Sequence, residues 1–194
     1  MTEVELKAHV DDRDMLIKNL DSWAEYQGSV IRDDNYWGLT DRKIRSIRVR
    51  RESSDGKPLR TLLTYKRKEL REQNKTVIEV NDEKECEISD PAVIETFFQD
   101  AGFSVVLKKH KEVMDWTFPV ESGNGIPEGL SVTFELCAVP PLGDFLEIEI
   151  LSPTDEPDLI ARLREKIEIY LEKTGIPKEK IEPRYYSELL KNHG

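Results

Sequence analysis

At 194 residues the chain has the length of one well-packed domain, and residues 1–194 are read as a single unit. Lys and Arg total 29 against 39 Asp and Glu, a formal charge of -10, which argues against a general nucleic-acid or anionic-membrane binder and obliges any phosphate ligand to find a local basic cluster. The only cysteines, Cys86 and Cys137, exclude a disulfide framework and lack the paired spacing of a zinc site.

The chain opens on MTEVELKAHV, where Glu3, Glu5, Lys7 and His9 alternate with Val4, Leu6, Ala8 and Val10. An extended strand turns the ionisable groups to one face and the apolar groups to the other. The Glu-x-Glu spacing returns at Glu85/Glu87 and at Glu147/Glu149. Carboxylates converging from three segments suit hard divalent cations, Mg²⁺ or Mn²⁺, which take oxygen ligands and are completed by the phosphates of a substrate.

Next, DDRDMLIKNLDSWAEYQG places Leu16, Leu20, Trp23 and Tyr26 at helical spacing after aspartates suited to an N-terminus, so a helix running to Gly28 is expected. Residues 29–39 read as a strand with a turn at Gly38. In KIRSIRVRRE, Arg48 and Arg50 share a face, and in LRTLLTYKRKEL, Thr64, Lys66 and Lys68 do so. Arg grips phosphate bidentately and Lys acts as a mobile point charge. The segment KTVIEVNDEKECEI carries five acidic or amide side chains at one parity, of which Glu85 and Glu87 are preferred as the inward pair. A helix capped by Asp90, with Pro91 in its first turn and Gly102 at its end, follows.

The strand FSVVLKKHKEVMDWTF puts Lys109 and Lys111 on one face and His110 on the other, where it reads as an ordinary sheet histidine rather than a proton-transfer group. Two strands joined by Pro-Pro-Leu-Gly then carry Glu135 and the Glu147/Glu149 pair. A strong helix runs from Pro157 to Gly175, with Leu159, Leu163, Ile167, Tyr170 and Leu171 on one face, before a short tail. The expected fold is α+β, an eight-stranded antiparallel closed β-barrel with helices packed outside. No apolar run approaches the about 18 residues of a membrane span, and no basic-then-apolar leader precedes the first strand. A cytoplasmic location is expected.

In order along nearly the whole chain, these segments resemble the CYTH superfamily, or triphosphate tunnel metalloenzymes, which includes class IV adenylyl cyclases, thiamine triphosphatases and inorganic tripolyphosphatases. Glu3, Glu5 and Lys7 look like its E-x-E-x-K; Asp34-x-Tyr36-Trp37 its D-x-Y-F; Arg48 and Arg50 its R-x-R; and Thr64, Tyr65 and Lys66 its T-Y-K. Glu85 and Glu87 resemble its middle E-x-E, Lys109 and Lys111 its K-x-R, and LGDFLEIE its last acidic block. YSELL, with Tyr186 and Ser187, resembles the ending of the class IV cyclase-like branch.

The resemblance implies a tunnel in which Glu3, Glu5, Glu147 and Glu149 form the main metal group, with Glu85 and Glu87 serving metal or ordering basic side chains. Lys7, Arg48, Arg50, Lys66, Lys109 and Lys111 would line a phosphate path, with Glu5 and Lys7 central to catalysis. Three departures stand out: Lys111 replaces an Arg, Glu135 stands where Asp is common and lengthens the metal arm, and an inserted-looking stretch separates the middle E-x-E from T-Y-K. Implied cofactors are Mg²⁺ or Mn²⁺. The implied partner is ATP, tripolyphosphate or thiamine triphosphate, met by a monomer or homodimer without nucleic acid or membrane, and a non-catalytic phosphate-binding module is the reading from another class.

Overall fold

The computed structural model describes residues 2–39, 47–73 and 76–191, with the side chains of residues 66–83 outside the description. Its elements are β1 (Thr2–His9), α1 (Arg13–Asp21), β2 (Glu25–Gly38), β3 (Ile47–Ser53), β4 (Arg60–Gln73), β5 (Thr76–Glu87), α2 (Pro91–Asp100), β6 (Ser104–Pro119), β7 (Ser131–Val139), β8 (Gly143–Ser152), α3 (Pro157–Thr174) and α4 (Tyr186–Lys191).

The eight strands hydrogen-bond in the order β1-β8-β7-β6-β2-β3-β4-β5. The pairings β1–β8, β7–β8, β2–β3, β3–β4 and β4–β5 are antiparallel, as their alternation and short connections led one to expect. The expected closed β-barrel is overturned. Closure requires the two end strands of the order to pair, and the sheet is open, with β1 and β5 at its ends. Instead, β1 takes on the C-terminal segment: Ala8 bridges Ile181, and the Glu182 amide donates to the Lys7 carbonyl at 2.8 Å.

The chain divides into two compact units, Met1–Ser29 with Val113–Gly194, and Val30–Glu112. In the first, the apolar parity of β1, β7 and β8 forms one face, on which Val4, Ala8, Val132, Phe134, Leu136, Leu146, Ile148 and Ile150 are buried. The stripe Leu159, Leu163, Ile167 and Leu171 of α3 belongs to the same core, each such side chain contributing about 1.5–3 kcal/mol on burial. Pro157 occupies the first turn of α3 and Gly175 ends it at φ 82, a left-handed conformation that a Cβ would strain.

Helix α1 starts where expected, the Asp12 carboxylate accepting from the Met15 amide at 2.9 Å, but it stops at Asp21 rather than Gly28. Ser22 Oγ turns back to the Asn19 carbonyl at 2.6 Å and the Trp23 indole donates to the Asn19 side chain at 2.8 Å. These bonds close the helix, and the aromatic- and glycine-containing residues that follow join β2.

In the second unit Trp37, Val49 and Phe98 are buried together. Asp90 caps α2 by accepting from the Ala92 amide at 2.9 Å, Pro91 opens it, and Gly102 follows its end. Residues 43–46 of the expected β3 segment lie outside the described residues. Among the described residues no helix is long and apolar enough to cross a membrane.

Candidate functional site

The strand pairings in the first unit dictate which side chains meet. Lys7 is opposite Glu147, which is opposite Glu135; Glu5 is opposite Glu149, which is opposite Thr133; and His9 is opposite Phe145, which is opposite Cys137. Because side chains alternate along a strand, this parity is the face turned away from the apolar core. Five carboxylates, Glu3, Glu5, Glu135, Glu147 and Glu149, therefore share one side of three adjacent strands.

The electrostatic consequence appears at Glu149. Burial, and then the negative charges of Glu3, Glu5, Glu135 and Glu147, push its carboxyl up to about 8. Glu147 is buried, Glu3, Glu135 and Glu149 are half-buried, and Glu5 is exposed. One oxygen from each of Glu135 and Glu147 and the Cys137 sulfur lie within 4.8 Å of one another. Crowded carboxyl oxygens with this charge excess fit a hard divalent cation, which neutralises them. Cys137 was not singled out from the sequence, although its parity with Glu135 in β7 was the available signal.

The tail closes over the Lys7 end of this face. Glu182 accepts from the Arg184 guanidinium at 2.8 and 2.6 Å, accepts from the Arg184 amide at 3.0 Å and lies 3.2 Å from His9 Nε2. The hydrogen bonds from Arg184 are the largest cause of a carboxyl held down at about 2. The Lys7 ammonium donates to the Arg184 carbonyl and stands 4.3 Å from the centre of the Tyr186 ring. That ring meets Phe145 edge-on at 5.1 Å. Burial, followed by the charge of Glu147, raises the Tyr186 phenol far above its ordinary range, so it stays neutral. Sequence reading noted Tyr186 as part of an ending but gave it no contact, since its partners lie far away in the chain.

The second unit carries a basic group. Asp34 is opposite Arg50, and Tyr36 opposite Arg48, which is opposite Thr64 and then Glu85. Arg50 grips Asp34 with two bonds, Nε at 2.7 Å and Nη2 at 3.1 Å, and Lys109 Nζ lies 3.2 Å from the same carboxylate. Burial alone would raise the Asp34 carboxyl, but the Arg50 hydrogen bond and the charges of Lys109, Arg50 and Arg48 outweigh it and hold the group well below the carboxylate range. Lys109 and Lys111 are both buried, unusual for ammonium groups and the mark of a specific environment.

Arg48 donates to Thr64 Oγ1 at 3.0 Å and to Glu85 Oε2 at 3.4 Å, while Thr64 donates to Glu85 at 2.8 Å. Glu85 thus meets both Arg48 and Thr64 across the strands. Glu87 forms an exposed pair with Arg60 at 3.1 Å. The backbone of Lys66 pairs with that of Glu83, and its side chain lies outside the described residues. His110, on the opposite parity from the two lysines, lies 2.8 Å from Asp33, whose hydrogen bond leads the causes raising its pKa. Asp34 carried no role in the sequence reading; its pairing with Arg50 is a cross-strand relation that only register reveals.

A model of the CYTH domain matches residues 1–186, running through both units. A solved structure of a protein from Pyrococcus horikoshii OT3 is 30% identical, with 99% of each chain covered and a TM-score of 0.75. A conserved hypothetical protein from Pyrococcus furiosus is 26% identical over 96% of this chain and 99% of its own, with a TM-score of 0.69. A Hippeastrum protein described as revealing a dominant triphosphatase activity shares the fold at 16% identity, covering 100% of this chain and 96% of its own with a TM-score of 0.65. No curated protein matches.

Proposed function

The chain belongs to the CYTH domain family, and from that premise we propose that it is a divalent-metal-dependent enzyme acting on a triphosphate. CYTH enzymes process triphosphates with a metal, and the observation that carries the reading here is the carboxylate face on which Glu149 is pushed up to about 8 by burial and its four acidic neighbours. That charge excess is the signature of a site built for a cation.

In this reading Glu3, Glu5, Glu147 and Glu149 hold Mg²⁺ or Mn²⁺, with Glu135 beside them. The bound metal would supply charge neutralisation on the phosphate oxygens. Arg48, fixed by Thr64 and Glu85, and Lys109 and Lys111 supply positive charge for phosphates, together with Arg50 and Lys66. Lys7, placed beside Glu147 by the strand register, supplies an ammonium at the metal group. Phosphoryl chemistry asks a protein mainly for positioning and charge stabilisation, which these groups provide.

Two reactions use the same groups. Attack of the ATP 3′-hydroxyl on the α-phosphorus releases pyrophosphate and leaves cyclic AMP, the 3′-oxygen giving up its proton. Attack of water on a terminal phosphorus releases orthophosphate. The YSELL ending favours the class IV adenylyl cyclase-like reaction, with tripolyphosphatase or thiamine triphosphatase activity as the alternative. Neither Cys86 nor Cys137 is in a disulfide, and in this reading the protein works in a reducing, cytoplasmic setting. The test is product analysis after incubation with ATP, tripolyphosphate and thiamine triphosphate in Mg²⁺ or Mn²⁺. Cyclic AMP with pyrophosphate identifies the cyclase and orthophosphate the hydrolase, whereas binding of all three without products overturns the enzyme reading.

A further inference from the structure

We propose that Tyr186, at the start of α4, is a positioning residue for the site, its ring fixing the Lys7 ammonium. The inference rests on the metal and triphosphate reading above and assigns the tail a part in it.

Three sets of contacts place the ring deliberately. The tail is pinned to β1 by the Ala8–Ile181 bridge and by the 2.8 Å bond from the Glu182 amide to the Lys7 carbonyl. Glu182 then ties down Arg184 through its guanidinium and amide, and it also meets His9. This presents the Arg184 carbonyl to the Lys7 ammonium, which is left 4.3 Å from the Tyr186 ring centre. Finally, the ring is held edge-on against Phe145 at 5.1 Å, and Phe145 neighbours Glu147 on the same face of β8.

A ring face holds an ammonium through its quadrupole and limits where a four-carbon arm can carry its charge.

The experiment compares wild type, Tyr186→Phe and Tyr186→Leu by tripolyphosphate binding, measured by calorimetry in chelator, beside a thermal melt. Tyr186→Phe keeps the ring, so its tripolyphosphate affinity is expected to match wild type. Tyr186→Leu, which removes the ring, is expected to bind tripolyphosphate several-fold more weakly. Wild-type affinity in Tyr186→Leu, or a loss in Tyr186→Phe equal to that in Tyr186→Leu with both variants melting with wild type, overturns the ring's role. Wild-type protein that binds no tripolyphosphate overturns the triphosphate reading itself, and this inference with it.

Discussion

Lys7 and Glu147 are register partners across β1 and β8, so an ammonium and a buried carboxylate stand side by side on the face opposite the core. The same carboxylate is register partner to Glu135 and comes within 4.8 Å of it and of the Cys137 sulfur. Glu147 therefore joins the positive and the negative parts of the proposed site. Glu147→Gln keeps the shape while removing the charge. Turnover of the triphosphate is expected to fall by at least about 100-fold, the scale on which a single charge-stabilising group acts, with the melting temperature within a few degrees of wild type. Steady-state rates and a thermal melt check both halves.

Glu149 gives a pH dependence with a defined sign. Its carboxyl is raised from 4.5 to about 8 by burial and by Glu3, Glu5, Glu135 and Glu147. Between those values the folded, metal-free protein holds a proton that the unfolded chain has released, so its stability falls as pH rises from 4.5 toward 8 and then levels. A metal needs the ionised form, so its binding releases the proton and tightens over the same interval. Mn²⁺ affinity measured across this range should climb with pH and flatten near 8. Glu149→Gln should abolish most of the slope, and an unaltered slope in that variant would contradict the assignment.

The pair Asp34–Arg50 is structural as well as electrostatic. The Asp34 side chain is 0% exposed and takes both Arg50 bonds, with Lys109 alongside. Removing one partner of a buried ion pair leaves a charge without compensation, at a cost of about 3–5 kcal/mol. Asp34→Ala should lower the urea unfolding free energy by that amount, and a loss below about 1 kcal/mol would show that the surroundings absorb the charge.

At the tail, Glu182 is held down at about 2, chiefly by its hydrogen bonds from Arg184. A depressed carboxyl contributes stability that is present above its unfolded value of 4.5 and is lost as pH falls through about 2. Acidification below 4.5 should loosen the Glu182–Arg184 and Glu182–His9 contacts before the core of β1, β7, β8 and α3 opens. Amide exchange at residues 181–186 followed from pH 5 downward reads this directly; tail protection that persists until the whole unit unfolds would refute it.

Local signals were legible in the sequence because local chemistry produces them. The alternation of Glu3, Glu5 and Lys7 with apolar neighbours gave both β1 and its two faces, and Asp90, Pro91 and Gly102 bracketed α2. Tertiary choices were not legible. Whether β1 pairs with another end strand depends on long-range geometry, and the expected barrel failed on that point. Helix α1 ended early because the Asn19 side chain and carbonyl take bonds from Trp23 and Ser22, a competition invisible to apolar spacing. Asp34 draws its importance from cross-strand register, and Tyr186 from contacts with residues far away in the chain, such as Lys7. Hydrophobic periodicity has no way to encode either.

The central claim is that the glutamates of β1 and β8 hold a divalent ion through which a triphosphate is processed. Phosphorus-31 magnetic resonance of wild-type protein with tripolyphosphate or ATP, with added Mg²⁺ and then with excess chelator, tests it most directly. Conversion of at least one triphosphate with metal, its arrest by chelator, and no conversion by Glu5→Gln or Glu147→Gln are expected. Equal conversion with and without chelator, or full activity in both variants, would contradict the claim.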